Sequence, residues 1–178
     1  YGSRPLKTLD GNQTRPTLDK VKEAVFSKIG PYFDGGSCLD LFSGSGAIGL
    51  ECLSRGMDEA WLCDHNYAAI NIIKTNVATL KAEGAKIYKK DYKQVLNRAI
   101  EERKQFDIIY LDPPYKEKYI DNILQIINEH QLIKPGGWVV VEMEKESELE
   151  DSYNNLTLQK NVIYGISKIF YFRGSTCS

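Results

Sequence analysis

The sequence predicts an α/β fold in which a mostly parallel sheet lies between two layers of helices and ends in an antiparallel hairpin. Two observations support this prediction. Short apolar runs alternate with longer segments whose apolar residues recur every three or four positions, as in strands that alternate with amphipathic helices. The last two apolar runs, Leu156–Tyr164 and Ile166–Phe172, are separated by Gly165 alone, so these two strands can pair only in the antiparallel direction.

The composition is typical of one globular domain. A chain of 178 residues is long enough for about one domain, and we expect an N-terminal arm over residues 1–16 followed by a single domain over 17–178. Hydrophobic residues make up 42% and charged residues 26% of the chain, which excludes a disordered or membrane-spanning protein. The net charge is -1, but residues 1–30 carry +3, so a basic arm precedes a mildly acidic body.

The four cysteines and two histidines do not form a metal-binding pattern. No two cysteines have CxxC spacing, so we expect no metal site. Cys38 and Cys63 lie within apolar runs and are predicted to be buried thiols. This use of cysteine is typical of a reduced, cytoplasmic compartment.

Each predicted element has a local signal. Thr17 is expected to cap the first helix, which Gly30 and Pro31 end, and Asn66 is expected to cap the third. The predicted helices are Leu18–Ile29, Ala47–Arg55, Tyr67–Leu80, Tyr92–Arg103 and Ile120–His130. The predicted parallel strands are Cys38–Phe42, Ala60–Cys63, Lys86–Lys89, Phe106–Leu111 and Trp138–Val141.

The turn after the first strand is rich in glycine. Gly44, Gly46 and Gly49 form a GxGxxG pattern between a strand and a helix, which is typical of nucleotide-binding folds but weak as a signal on its own. Asp40 lies four residues before Gly44, where a dinucleotide site would be apolar. A carboxylate is a poor neighbour for phosphate and a good one for a cation. The turn therefore favours a cationic nucleoside such as S-adenosylmethionine.

Acidic residues also follow the second and third strands. Asp64 lies 24 residues after Asp40, the spacing expected of an acid that binds ribose hydroxyls. Asp91 is placed to accept a hydrogen bond from an adenine amino group, although a cap on the next helix explains it equally well. Ligands of open parallel sheets bind at these carboxyl ends of the strands.

The most specific signal is the segment DPPY, which follows the fourth strand. An exocyclic amine on a base is a poor nucleophile because its lone pair is conjugated with the ring. The Asp112 carboxylate and the Pro113 carbonyl could accept hydrogen bonds from such an amine and localise its lone pair. Two successive prolines restrict the backbone of this segment, and Tyr115 could stack on a flipped base.

Together these residues resemble a known family. DLFSGSGAIGLE over residues 40–51, the acids at 64 and 91, and DPPY over 112–115 resemble class I S-adenosylmethionine-dependent methyltransferases that modify exocyclic amines. RPTLDKVKEAVF over residues 15–26 narrows the resemblance to the bacterial 16S rRNA (guanine(966)-N(2))-methyltransferase family. The resemblance spans about residues 2–172.

The resemblance implies a Rossmann-like three-layer sandwich with a seven-stranded, mostly parallel sheet and an antiparallel C-terminal hairpin. It implies S-adenosylmethionine as cofactor and 16S rRNA, within a partly assembled small ribosomal subunit, as substrate. We expect a monomer with no membrane partner. The family often has Glu where Asp64 stands, which changes the length of the side chain but not its chemistry.

The resemblance also assigns roles by position. The expected catalytic residues are Asp112, Pro113, Pro114 and Tyr115. The expected cofactor contacts are Asp40, Phe42, Ser43, Gly44, Gly46, Asp64, His65, Asp91 and Tyr92. The basic arm and the lysines beside DPPY supply the expected RNA contacts, which are Arg4, Lys7, Arg15, Thr17, Lys116 and Lys118.

Other functions are compatible with the same motifs. A DNA adenine-N6 or protein glutamine-N5 methyltransferase would use the same DPPY chemistry, although a DNA enzyme usually needs a separate recognition domain. A non-catalytic RNA-binding assembly factor would have no need for an intact glycine turn and DPPY. Asp40 argues against an NAD-dependent dehydrogenase, whose glycine turn binds a pyrophosphate.

Overall fold

A computed structural model describes residues 16–113 and 118–176. The predicted N-terminal arm therefore lies outside the described residues, except for Pro16, which begins the first helix. The chain divides into two compact units, the first ending at Val95 and the second beginning at Leu96.

The first unit is an alternation of helices and parallel strands. Strand β1 pairs with β2, and β2 pairs with β3, all in the parallel direction. Its elements are α1 (Pro16–Ile29), β1 (Ser37–Asp40), α2 (Ala47–Ser54), β2 (Glu59–Asp64), α3 (Tyr67–Leu80), β3 (Ala85–Lys89) and the first residues of α4 (Tyr92–Glu101).

The core of this unit explains why these segments fold as they do. Leu39 of β1 and Trp61 and Leu62 of β2 are fully buried, because strands covered by helices on both faces are apolar on both faces. Asn66 caps α3 as expected, since its Oδ1 accepts hydrogen bonds from the backbone N–H groups of Ala68 (2.8 Å) and Ala69 (3.2 Å).

The second unit contains a parallel pair of strands that continues into an antiparallel ribbon. Strand β4 pairs with β5 in the parallel direction, and the antiparallel pairs are β5 with β8, β8 with β7, and β7 with β6. Besides the rest of α4, its elements are β4 (Phe106–Leu111), α5 (Lys118–Glu129), β5 (Ile133–Glu144), β6 (Ser152–Tyr153), β7 (Leu156–Tyr164) and β8 (Ser167–Gly174). The predicted C-terminal hairpin is confirmed.

Several predicted boundaries are wrong. Helix α1 begins at Pro16, so Thr17 lies inside the helix and does not cap it. Proline suits this first position because its missing N–H would have no partner there. Strand β1 ends at Asp40, and the predicted strand residues Leu41 and Phe42 belong to the turn. The described residues contain eight strands, because the two-residue β6 adds one to the seven expected.

Among the described helices, none is long and apolar enough to cross a lipid bilayer.

Candidate active site

The glycine turn of the first unit is held by hydrogen bonds that its own backbone donates. The N–H of Ser43 donates to the carbonyl of Cys63 (2.8 Å), and the N–H of Gly46 donates to the carbonyl of Ser43 (2.9 Å). Gly44 and Gly46 have φ of +60° and +83°, which side chains rarely permit. A Cβ atom on Gly44 would meet no other atom within 4 Å, so a ligand can approach this backbone closely.

Asn76 supports the turn, and the sequence prediction missed it. This side chain on α3 is only 2% exposed, and its Nδ2 donates to the carbonyl of Ser45 at 2.9 Å. A buried amide costs free energy unless it is hydrogen-bonded, so the contact fixes the turn against α3. The available signal was a polar residue on the helix face that Ile73 and Leu80 bury.

Asp40, the last residue of β1, is a buried carboxyl with an incomplete set of partners. It is 2% exposed, and its Oδ2 has no hydrogen-bond partner among the described residues. The pKa of Asp40 is raised from its usual 3.8 to about 7, mainly by loss of hydration and to a smaller extent by the charge of Asp64. Hydrogen bonds from Ser43 and from the backbone of Gly49 act in the opposite direction. Such a carboxyl fits a cationic ligand.

Asp64, the last residue of β2, joins the glycine turn to the start of α3. Its Oδ2 accepts from the N–H of Gly44 (3.1 Å), and its Oδ1 accepts from the N–H of Asn66 (2.9 Å). Each carboxylate oxygen has a second lone pair, so both can still accept a bond from a ligand hydroxyl. The exposed ring of His65 places its Nδ1 3.9 Å from Oδ1 of Asp64.

Asp91 and Tyr92 lie at the start of α4. Oδ1 of Asp91 accepts from the N–H of Gln94 (3.0 Å), and Oε1 of Gln94 accepts from the N–H of Asp91 (3.2 Å). This reciprocal capping shows that Asp91 does cap the helix, one of the two roles left open by the sequence. The half-buried ring of Tyr92 packs at 5.8 Å, between centroids, against that of Phe42. A contact with adenine stays a prediction.

Three cysteines of the first unit are buried. Cys38, Cys52 and Cys63 are buried free thiols, which confirms the prediction for Cys38 and Cys63. Burial raises the pKa of the Cys63 thiol, and the charges of Asp40 and Asp64 raise it further. The reactive thiolate is therefore disfavoured.

The second unit places the start of the DPPY segment directly after a buried strand. Strand β4 is buried except at Asp107, and it ends at Leu111, which pairs with Val141 of β5. Asp112 is exposed and Pro113 is half-buried at the carboxyl end of this strand. An exposed carboxylate on a rigid strand end can meet a ligand from solvent.

The side chains of the other predicted site residues lie outside the part of the chain that the structure describes. Thr17 and Lys118 lie at the starts of α1 and α5, but their side chains are not among those described. The other predicted residues that lie outside the described residues are Pro114, Tyr115, Lys116, Arg4, Lys7 and Arg15.

A cavity in the second unit lies away from Asp112. Its volume is about 360 Å³, and its lining includes Gln105, Ile133 and Lys134. These residues lie just before or at the amino-terminal ends of β4 and β5, whereas Asp112 follows the carboxyl end of β4. Ligands of parallel sheets bind at the carboxyl ends, so this cavity is separate from the candidate site.

Comparison with known proteins identifies the family. The family described as "Conserved hypothetical protein 95" matches residues 1–173. The chain belongs to this family. A relative from Bacillus subtilis (strain 168) is named "Putative rRNA methyltransferase YlbH". It is 40% identical over 171 residues, which cover 96% of this chain and 93% of the relative. "Ribosomal RNA small subunit methyltransferase D" of Haemophilus influenzae is 33% identical over 168 residues, covering 93% and 86%.

A solved structure agrees with this assignment. The chain described as "Putative methyltransferase yhhF from Escherichia coli" matches with a TM-score of 0.82 and 28% identity, over 97% of this chain and 93% of that one. This likeness confirms the class I methyltransferase fold that the sequence predicts for this chain.

Proposed function

We propose that this chain transfers a methyl group from S-adenosylmethionine to the exocyclic N2 of a guanine in 16S rRNA of the small ribosomal subunit. The observation that carries the proposal is the exposed Asp112, followed by the half-buried Pro113, at the end of β4. The relatives of this chain include proteins named small-subunit rRNA methyltransferases. Position 966 follows from the family resemblance alone. A ribosomal substrate implies a cytoplasmic enzyme.

The first unit has the residues to hold the cofactor. S-adenosylmethionine, when bound, supplies an electrophilic methyl group on a sulfonium ion. The buried Asp40, with its unpartnered Oδ2, fits the cationic part, and the open backbone at Gly44 allows a close approach. Asp64 has lone pairs left for the ribose hydroxyls. Asp91 and Tyr92 would contact the adenine.

The second unit has the residues to activate the amine. Asp112 and the carbonyl of Pro113 would each accept one N–H of the guanine amine, which turns its lone pair towards the methyl group. Such positioning supplies most of the rate enhancement. The spare proton leaves to Asp112 or to water after transfer. Tyr115 would stack on the flipped base.

The decisive experiment is a transfer assay with labelled S-adenosylmethionine. Small subunits that lack the modification, naked 16S rRNA, DNA and a release-factor protein are offered side by side, and the labelled product is identified by mass spectrometry. We expect N2-methylguanosine from the subunits. Label in DNA adenine or protein glutamine would support methyl transfer to an exocyclic or amide nitrogen but would contradict the proposed rRNA substrate. No label, despite measured cofactor binding, would favour a non-catalytic assembly factor.

Asp112→Ala tests the role of the DPPY carboxylate. We expect methyl transfer to fall by at least ~100-fold, because the amine loses an acceptor that acts in the transition state. The affinity for S-adenosylmethionine, measured by calorimetry, should stay the same. Asp151→Ala removes another exposed carboxylate of the same unit and should leave the rate unchanged. Full activity in Asp112→Ala would rule out this mechanism.

A further inference from the structure

A second basic segment lies in the first unit. Residues 65–93 contain six lysines against two acids, Glu83 and Asp91, so this segment carries +4 in a chain whose net charge is -1. Residues 1–30 carry +3. The RNA contacts predicted from the sequence lie in the N-terminal arm, at the start of α1 and near DPPY, and none lies in this segment.

Three of the six lysines lie close together, at the end of β3 and the start of α4. Lys89, Lys90 and Lys93 are exposed, and within the part of the chain that the structure describes they form no ion pair. Lys86 differs, because its Nζ lies 2.9 Å from Oε2 of Glu59. Unpaired, neighbouring lysines repel one another and attract an anionic partner.

An exposed aromatic ring lies beside these lysines. Tyr67, the first residue of α3, is 68% exposed, and Nζ of Lys89 lies 6.0 Å from the centroid of its ring. The cation-π contact orients the ring, and most of the ring surface remains open to solvent. An open tyrosine beside lysines is a typical stacking platform for unpaired bases.

The same residues border the candidate cofactor site. Lys89 pairs in register with Asp64 across β2 and β3, and the N–H of Lys90 donates to the carbonyl of Asp64 at 3.1 Å. Lys93 lies with its Nζ 6.0 Å from the ring centroid of Tyr92. We call Tyr67, Lys89, Lys90 and Lys93 the β3 surface. It lies at the carboxyl ends of the strands that present Asp64 and Asp91.

We propose that the β3 surface binds the phosphate backbone of the RNA substrate and stacks Tyr67 on an unpaired base. This inference rests on the proposed function, because it assigns a further part of the chain to the same substrate. Lysine charge alone would fit an acidic protein as well as RNA. The open ring of Tyr67 favours RNA, since an acidic protein surface gains little from an aromatic platform.

The charge is tested with Lys89→Gln/Lys90→Gln/Lys93→Gln. Binding to naked 16S rRNA is measured by filter retention between 50 and 300 mM salt. We expect roughly a 10-fold loss of affinity at 100 mM salt, and a slope of log affinity against log salt that is shallower by about 2, for three lost phosphate contacts on single strands. The affinity for S-adenosylmethionine should change by less than about 2-fold.

A matched triple variant controls for net charge. Lys81→Gln/Lys145→Gln/Lys160→Gln removes three exposed lysines that also form no ion pair among the described residues. Lys81 is at the opposite end of α3, ~20 Å from Tyr67 along the helix axis. Equal losses in the two triple variants would overturn the proposal, because net charge would then explain both.

The aromatic part is tested with Tyr67→Ala against Tyr32→Ala. Tyr32 is 80% exposed and lies outside the β3 surface, so it controls for loss of a surface tyrosine. We expect Tyr67→Ala alone to weaken binding to naked 16S rRNA by about 5- to 100-fold, the range for one stacked base. Equal binding by the two variants would overturn the stacking contact.

The experiment separates failure of this inference from failure of the proposed function. If wild type methylates the subunit and both lysine variants bind RNA equally, only the inference fails. If wild type transfers no methyl group but Lys89→Gln/Lys90→Gln/Lys93→Gln still loses RNA binding, the result supports RNA binding by the β3 surface and contradicts the proposed enzyme activity. A loss of binding to subunits with full binding to naked rRNA would identify a ribosomal protein as the partner and overturn the inference.

Discussion

At the scale of single residues, Asp40 combines burial with a potential charge. Its carboxyl is enclosed at the end of β1, and only some of its hydrogen-bonding capacity is used. Without a ligand, burial favours the neutral acid near pH 7. A cation beside Oδ2 would favour the carboxylate, so ligand binding at this position should be accompanied by release of a proton.

The contribution of Asp40 to the stability of the folded protein should depend on pH. Its pKa is raised from 3.8 to about 7 in the folded protein, so its contribution to the free energy of unfolding is full below pH 4 and is lost as pH rises through 7. The variant Asp40→Asn has no ionisable group at this position, so its free energy of unfolding does not fall in this way as the pH rises. In urea unfolding without cofactor, its stability relative to wild type should therefore rise by up to ~4 kcal/mol from pH 4 to pH 8.

Asp34→Asn is the control for this measurement, because Asp34 is an exposed aspartate of the same unit. The pH dependence measured for Asp40→Asn should exceed that of this control variant. If the difference between Asp40→Asn and wild type is also the same at pH 4 and pH 8, burial of Asp40 does not perturb its ionisation and the explanation is wrong.

At the scale of elements, α2 lies against β2 through a glycine. Gly49 is buried on the inner face of α2, and a Cβ atom there would come within 2.1 Å of Cδ2 of Leu62 and 3.5 Å of Cβ of Ala60. The third glycine of the GxGxxG pattern therefore serves close packing of the helix on the strand. The first two serve the backbone of the turn.

Gly49→Ala should destabilise the protein although alanine favours helices. The added methyl group must displace the buried side chain of Leu62, at a cost of about 1–3 kcal/mol in the free energy of unfolding. A double-mutant cycle with Leu62→Ala, measured by urea unfolding, tests the contact. We expect the double variant to lose less stability than the two single variants added together, since each change relieves the other. Strict additivity would contradict the contact.

Much of the element pattern could be predicted because local signals determine it. Asn66 supplies a cap, and α3 spans the predicted residues Tyr67–Leu80; strand β4 likewise spans the predicted Phe106–Leu111. Strand β5 was predicted from Trp138 to Val141 but runs from Ile133 to Glu144. Its extension to Glu144 depends on pairing with β8, up to Glu144 with Ser167, and at its other end Ile133 pairs with Phe106 of β4. No local signal reveals these pairings. The two-residue β6 depends in the same way on β7.

For the candidate site too, the sequence predicts what local position determines and misses the contacts that depend on packing. Asp40, Asp64 and Asp91 could be proposed because each lies at or just after the end of a strand, a position that chain order alone reveals. The contacts from Asp64 to Gly44 and from Asn76 to Ser45 span 20 and 31 residues, and they depend on how α3 packs. Tyr67 and its lysines were missed because the charge was counted only over the first 30 residues and the remainder.

At the scale of the whole molecule, the charges are segregated along the chain. The residues outside 1–30 and 65–93 contain eleven basic and nineteen acidic residues, a net charge of -8. In residues 142–151 the exposed acids are Glu144, Glu146, Glu148, Glu150 and Asp151. An acidic surface repels phosphates within about one Debye length, so it disfavours binding of RNA in other orientations.

The last prediction follows from this segregation. Glu146→Gln/Glu148→Gln/Glu150→Gln should bind non-specific RNA several-fold more tightly at 50 mM salt, since three repulsive charges are removed, and the gain should shrink at 300 mM salt, where charges are screened. A scattered triple variant, Asp34→Asn/Glu101→Gln/Glu129→Gln, removes three exposed acids outside residues 65–93 and 142–151, so it changes the net charge equally and should gain less. Filter binding to an unrelated RNA measures both. If the two variants gain the same affinity, net charge alone governs RNA binding, and the acidic segment has no separate role in directing the RNA to the basic segments.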